Sequence, residues 1–312
     1  MTDGAAPRAP SPGVPGLTAT VIVNWNGWPD TVECLRSCRQ LEEVEHVELV
    51  IDNGSTDASV GELRKHFPDL RVLENGSNLG FAAACNVGIQ EALRAGAEFV
   101  WLLNNDTIVD RAALAELVRA LQSSPQAAFA GSKIYYASRP DVLWFAGGDL
   151  PIHGSEPCHR GLDEPDTGRY DEPTPCGFIT GCSLLVRTTA IASIGLMPED
   201  YFLYWEDVDW NERAAAAGME RLYVPTSRVW HKVSASSQGE AGSRHPRMDR
   251  YSMRNFILFH RRHRPRGLAI ALLRGWLRTL KMLLVDRRPK QSAAALRGMI
   301  DAIAGRTGPI SD

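Results

Sequence analysis

The fold of this chain turns on Phe99 to Asp110, FVWLLNNDTIVD. Five apolar residues, Phe99 to Leu103, run directly into Asn104, Asn105 and Asp106. A short continuous apolar run reads as a strand buried on both faces, as in a parallel sheet covered by helices. Open α/β sheets bind ligands just outside the carboxyl ends of their strands. Asp106 therefore falls where a hard oxygen could hold a divalent metal beside a phosphate. Turn chemistry alone also accounts for Asn-Asn-Asp-Thr, because these residues favour turns and helix N-caps.

The same grammar repeats upstream. Thr20 to Val23 is a β-rich run that stops at Asn24-Trp25-Asn26-Gly27, and Pro29 suits the first turn of a helix reaching about Gln40. Val47 to Ile51 is a second strand, ended by Asp52-Asn53-Gly54-Ser55, with Ser55 to Asp57 capping a helix to about His66. Arg71 to Leu73 is a third, short strand, and Phe81 to Arg94 a helix rich in small residues. A helix from Arg111 to Leu121 follows the opening stretch. Strict alternation of strand and helix predicts a doubly wound, mostly parallel α/β sheet with right-handed crossovers. Asn24, Asp52 and Asn104 then stand at three strand ends where such a sheet opens its crevice. No GxGxxG follows the first strand and no Walker A lysine is present, which argues against dinucleotide and P-loop chemistry.

Downstream the pattern loosens. Pro140 to Pro175 reads as long loops with a small strand near Trp144, and Phe178 to Arg187 is strand-like. Glu206 to Ala217 is a helix that opens on acids and ends at Gly218. Short extended pieces, Arg221 to Val224 and Arg228 to His231, flank Pro225. The expected organisation is a Pro/Gly/Ala-rich disordered lead-in (1–17), an α/β half (18–135), a second half (136–240) and a basic helical tail (241–312).

With 44% hydrophobic and 23% charged residues, the composition is that of a soluble globular protein. The net charge of -3 conceals an asymmetry: Arg244 to Arg306 carries 16 Lys and Arg against 3 acids. A basic tail on an acidic body suggests an anionic surface as partner. Leu268 to Val285 sets Arg274, Arg278 and Lys281 on one face, with Leu272, Leu273, Trp276, Leu280, Leu283 and Leu284 on the other. That is the pattern of a helix lying in a membrane interface, and also of one docked on the protein's own core. There is no signal peptide and no 18-residue apolar run, so the expected place is the cytoplasm, at the membrane's inner face. The six cysteines show no C-x-x-C or zinc spacing, and Cys34 and Cys38 are expected to be buried in a reducing compartment. No nucleic-acid recognition motif accompanies the basic tail.

Six motifs stand in order: VIVNWNG (Val21 to Gly27), DNGSTD (Asp52 to Asp57), NLGFAAACNVG (Asn78 to Gly88), LLNNDT (Leu102 to Thr107), GCSLLVR (Gly181 to Arg187) and YFLYWEDVDWNERAAAAG (Tyr201 to Gly218). Together they resemble family 2 glycosyltransferases, and more closely the bacterial rhamnosyltransferase and galactofuranosyltransferase branch. The resemblance implies a GT-A fold and an inverting, metal-dependent transfer of a sugar from a nucleotide donor to an acceptor hydroxyl. It makes 18–135 the nucleotide-sugar half and 136–240 the acceptor-binding, catalytic half.

On that basis Asp52 contacts the donor's pyrimidine, with Asn24, Asn78, Asn86 and Asn105 also on the donor. Asp106 carries the last position of the family's Asp-x-Asp motif, Asn104 replaces the first, and His231 resembles a third ligand for Mg2+ or Mn2+. An amide oxygen can ligate but brings no charge, so the metal would arrive with the donor's diphosphate. Glu206 and Asp207 match the acidic catalytic motif, with Asp207 as general base. Gly181, Trp205 and Asp209 fall on the acceptor side, where Trp205 or Tyr204 could pack on a sugar ring. The expected donor is dTDP-L-rhamnose or another dTDP- or UDP-sugar. The expected acceptor is a lipid-linked glycan precursor of cell-wall or surface polysaccharide, reached through the tail. Removing residues 267–312 should then spare donor hydrolysis and lower transfer to a membrane acceptor. The alternatives are a soluble secondary-metabolite acceptor and a non-catalytic sugar-nucleotide-binding protein.

Overall fold

The computed structural model describes residues 16–150, 154–233 and 245–310, so the expected lead-in lies outside the described residues apart from its last two. The first run of elements is β1 (Thr18–Asn24), α1 (Trp28–Cys38), β2 (His46–Asp52), α2 (Ser59–His66), β3 (Arg71–Glu74), α3 (Phe81–Arg94), β4 (Phe99–Asn104), β5 (Thr107–Val109) and α4 (Ala113–Ser123). Then come β6 (Ala127–Tyr136), β7 (Arg139–Phe145), β8 (Gly148–Asp149), β9 (Cys158–His159), β10 (Thr174–Pro175), β11 (Ser183–Arg187), α5 (Thr188–Ile194), α6 (Glu206–Ala216) and β12 (Glu220–His231). Three helices close the chain: α7 (Pro246–His263), α8 (Leu268–Leu284) and α9 (Pro289–Ile303).

One sheet runs β10-β12-β6-β11-β4-β1-β2-β3. The β3-β2-β1-β4 half is parallel, β11 is antiparallel to both β4 and β6, and β12 is parallel to β6. Phe99 to Leu103 are all buried, as a strand covered by helices on both faces requires. Register sets Asn24 beside Asp52 and Val23 beside Asn104, so the polar ends of β1, β2 and β4 finish flush. Helix α3 lies hard against the sheet: a Cβ on Gly88 would stand 2.3 Å from Val21 Cγ1.

The second half differs in detail from the sequence reading. β6 was not anticipated, because AAFAGSKIYY has no apolar period and hides Ser132 and Lys133 in the core. Residues around Pro225 form one strand, with a bulge between Val224 and Arg228 that accommodates the missing donor. In the Phe178 to Arg187 run only Ser183–Arg187 is strand. The cut at 135/136 falls inside β6, so the sheet runs across both expected halves.

The closing helices pack on one another, and α7 is bonded to the segment before α6 and to α6 itself. Helix α8 faces inward with Ala271, Gly275 and Thr279, where a Cβ on Gly275 would meet the sulfurs of Met253 and Met299 within 3.3 Å. Its large apolar residues face outward: Leu273, Trp276, Leu277, Leu280 and Leu284 are exposed, alongside Arg274 and Lys281. Among the described residues no helix is long and apolar enough to cross a membrane. All six cysteines are free thiols, and Cys34 and Cys38 are buried as expected.

Candidate active site

At the ends of β1 and β2, Asn24 Nδ2 donates to Asp52 Oδ1 at 2.9 Å, and its Oδ1 accepts from Thr31 Oγ1 at 2.8 Å. Ser55 completes the cradle, its hydroxyl donating to Asp52 Oδ1 at 2.6 Å and its N–H to Oδ2 at 3.0 Å. Asn105 joins through Thr31, to which its Nδ2 donates at 2.9 Å. One turn on, Asn53 Nδ2 donates to Asn78 Oδ1 at 3.1 Å, and Asn78 Oδ1 also accepts from Gly80 N–H at 2.9 Å. A chain of hydrogen bonds thus joins Asn105, through Thr31, to Asn24 and Asp52, and Asn53, whose N–H donates to the Asn24 carbonyl at 2.8 Å, carries it on to Asn78. Asn86 is not among them. It is buried in α3, where its amide grips the Met197 backbone in both directions and donates to Glu199 at 2.8 Å.

Past β4 the chain turns so that Asp106 meets His231, the last residue of β12, with Nε2 to Oδ1 at 3.1 Å. Pairing of β5 with β12 sets Thr107 opposite His231, and Lys232 N–H donates to the Asp106 carbonyl, so backbone geometry fixes this contact. Burial opposes a charged imidazole, yet the pKa of His231 is raised to about 10 by its contacts with Cys182 and Asp106. Burial pushes the Cys182 thiol up and keeps it neutral, so the Asp106 carboxylate is the charge that decides. Among the described residues no three His, Cys, Asp or Glu side chains gather where a metal ion could sit. Mg2+ is commonly held by one or two carboxylates together with substrate phosphates. Asp106 with His231, and Asn104 nearby in the chain, would supply such a half-site, where a cation would take the place of the proton between acid and imidazole.

The acidic pair stands at the N-terminus of α6. Asp207 Oδ2 accepts from Gly181 N–H at 2.9 Å and Oδ1 from Val208 N–H at 2.8 Å, and the side chain is partly exposed. Glu206 is buried, and its Oε2 has no hydrogen-bond partner. Burial, and then the neighbouring Asp207 charge, push the Glu206 carboxyl up to about 8, while burial raises Asp207. Cys182 links this pair to the metal half-site: it follows Gly181 and its carbonyl accepts from Asn104 N–H at 2.9 Å. Strain sits just before the acids. Phe202, Tyr204 and Trp205 all adopt left-handed φ, at 67°, 68° and 78°. Each such residue costs about 1–3 kcal/mol and persists only where its surroundings over-determine it.

Three acceptor-side expectations change. Gly181 spends its N–H on Asp207, so it positions the acid. Trp205 is buried between Phe256 and Phe259, with ring centroids at 5.6 and 5.2 Å, and is core. Asp209 is fully buried; its Oδ2 accepts from Tyr201 Oη at 2.9 Å, Arg262 Nη1 at 3.0 Å and His263 Nε2 at 2.7 Å, while Arg213 forms an ion pair at 2.7 Å with Oδ1. Burial opposes its charge, but those partners outweigh it and hold the carboxyl at about 2. It ties α6 to α7. Sequence reasoning missed Ser55 as a hydrogen-bonding partner, although it lies within DNGSTD, and missed the α7 residues that touch the strained segment.

A doubly wound sheet with an Asn/Asp cradle at its strand ends and an acid pair, one buried and one partly exposed, at the start of α6 has the GT-A architecture of a group-transfer enzyme. The chain belongs to glycosyl transferase family 2, whose pattern residues 20–193 match. It is 30% identical over 244 residues to the N-acetylglucosaminyl-diphospho-decaprenol L-rhamnosyltransferase of Mycobacterium tuberculosis, covering 72% of this chain and 78% of that one. It is 22% identical over 273 residues to the low-salt glycan biosynthesis hexosyltransferase Agl10 of Haloferax volcanii, with 83% of each covered. The fold is shared with the mannosyltransferase PcManGT of Pyrobaculum calidifontis in complex with GDP-Man and Mn2+: TM-score 0.57, 14% identity, 95% of this chain and 89% of that one. It is shared too with GalNAc-T7 bound to UDP, GalNAc and Mn2+: TM-score 0.57, 16% identity, 69% of this chain and 42% of that one.

Proposed function

We propose that this glycosyltransferase moves L-rhamnose from dTDP-L-rhamnose, with inversion, to N-acetylglucosamine carried on a polyprenyl diphosphate, in cell-wall or surface polysaccharide synthesis. The observation that carries the reading is the environment of Asp207. It is the partly exposed member of the acid pair, fixed by two backbone N–H groups and joined through Gly181 and Cys182 to the end of β4. Asp207 takes the proton from the acceptor hydroxyl as that oxygen bonds to the anomeric carbon and the bond to the diphosphate breaks. Glu206, pushed up to about 8, holds its own proton at neutral pH and leaves Asp207 as the ionised partner. The Asp52 cradle binds the donor's base, and Asp106 with His231 and Asn104 would hold the metal. A bound Mg2+ or Mn2+ would neutralise charge on the departing diphosphate. The rhamnosyltransferase relative supports both substrates.

The outward apolar face of α8, bordered by Arg274 and Lys281, supports docking on the anionic inner leaflet of the cytoplasmic membrane, which would bring the crevice to a lipid-linked acceptor. Point substitutions test this better than truncation, because the Gly308 carbonyl accepts from Arg254 and loss of 267–312 would disturb α7. Leu273→Glu with Leu277→Glu should abolish co-sedimentation with phosphatidylglycerol vesicles and leave dTDP-rhamnose hydrolysis intact. For the reaction itself, a panel of dTDP-, UDP- and GDP-sugars with Mn2+ should release dTDP from dTDP-rhamnose, and chelation should stop it. Turnover of a different sugar nucleotide would reassign the donor.

A further inference from the structure

The segment that delivers Glu206 and Asp207 to the crevice is held by two buried residues of the C-terminal layer. Asn255 Nδ2 donates to three carbonyls of that segment, Tyr201 at 3.0 Å, Leu203 at 2.8 Å and Tyr204 at 2.9 Å. Arg254 Nε donates to Asn255 Oδ1 at 2.9 Å, which fixes which way the amide faces. The same guanidinium reaches Tyr201 O at 2.8 Å and Gly308 O at 2.7 Å. Both side chains are buried, Arg254 at 1% exposed and Asn255 at 0%, although neither touches the crevice acids through any of these bonds. On the other side, Phe202 O accepts from Phe81 N–H at 2.8 Å, and a Cβ on Gly80 would stand 2.5 Å from that same oxygen. The three left-handed residues therefore run between the N-terminus of α3 and the Arg254–Asn255 pair, with Trp205 packed on the next turn of α7.

Left-handed non-glycine backbone survives only where its carbonyls and side chains are over-determined. Here one primary amide supplies that over-determination, and an amide with two hydrogens serving three acceptors is a positional device rather than a packing filler. We propose that Arg254 and Asn255 are positioning residues of the transfer reaction, acting through the 201–205 backbone on the aim of the Glu206–Asp207 pair. The proposal rests on the reading of Asp207 as base. It makes the C-terminal layer part of the catalytic apparatus as well as the carrier of the membrane-facing helix.

The test uses full-length Asn255→Asp, which keeps shape and removes the donor, and Arg254→Lys, which keeps charge and removes the fork. Met299→Ala serves as a control in the same layer, packed against Gly275 and Thr279 of α8. Each is assayed with dTDP-rhamnose and a polyprenyl-diphosphate N-acetylglucosamine acceptor, and hydrogen exchange is followed over residues 199–209. Both brace variants should lose about 10- to 100-fold in kcat, the cost of a small misplacement of catalytic groups, while donor KM stays within about twofold. Exchange over 199–209 should rise, and Met299→Ala should lower Tm with kcat kept. Unchanged exchange in Asn255→Asp overturns the brace. Raised exchange with wild-type kcat overturns its catalytic role. If Asp207→Asn also stays active, the base assignment has failed separately.

Discussion

Asp52 and Glu206 are both buried acids of the same crevice, and their surroundings are opposite. Asp52 receives three donors, from Asn24, the Ser55 hydroxyl and the Ser55 backbone, so its oxygens are held in one orientation. Glu206 has an oxygen with no donor at all and a second acid beside it, and burial drives its carboxyl up to about 8. A saturated carboxylate is a fixed acceptor, suited to reading a ligand's N–H. An unsaturated one in low dielectric is a proton store, suited to chemistry. Strain follows the same division. Around Asp52 the left-handed positions include Gly54 and Asn26, residue types that tolerate such backbone, whereas before Glu206 they are Phe202, Tyr204 and Trp205.

That contrast is tested first by Asp207→Asn, which keeps the backbone bonds and removes the base. Turnover should fall by about 10²- to 10⁴-fold with donor affinity kept, measured as kcat beside a direct donor titration. Asp52→Asn should do the reverse. Donor KM should rise about 10- to 30-fold, the worth of one buried charged hydrogen bond, with kcat altered far less. Equal losses of kcat in both variants would erase the distinction between a binding acid and a reacting acid.

Much of the donor side was legible because its signals are local. Apolar runs ending in Asn24, Asp52 and Asn104 marked strand ends, and α3 falls on Phe81–Arg94 as read, because its small residues sit against the sheet. The rest depends on contacts far apart in sequence. β6 looked irregular because its interior Lys133 is neutralised by Asp166 and Asp171, which the strand itself does not contain. Asn86 resembled a ligand-binding amide inside a family motif, yet its partner is the backbone of Met197. Helix α7 escaped notice for the same reason: Arg254, Asn255 and His260 interrupt its apolar pattern and are all buried. Polar residues in a core become intelligible only when their partners are in view.

The smallest expected effect concerns stability, and it belongs to Glu206. The Glu206 carboxyl lies near 4.5 in an unfolded chain and about 8 in the folded one. Between those values the native state binds more protons than the unfolded state, so this group's contribution falls as pH rises. Below the lower value both states are protonated and the contribution is flat; above the upper one the loss is complete. Glu206→Gln removes the titration and keeps the shape. The variant should therefore gain on the wild type by about 2–4 kcal/mol in unfolding free energy between pH 5 and pH 8.5, read from urea midpoints at constant m. Taking the difference between the two proteins cancels the titrating groups that do not interact with Glu206, and leaves the Glu206–Asp207 pair as the source of the slope. A difference that stays flat with pH would mean that Glu206 is solvated or has a donor in solution. The acid pair would then be no more than a second version of the Asp52 cradle.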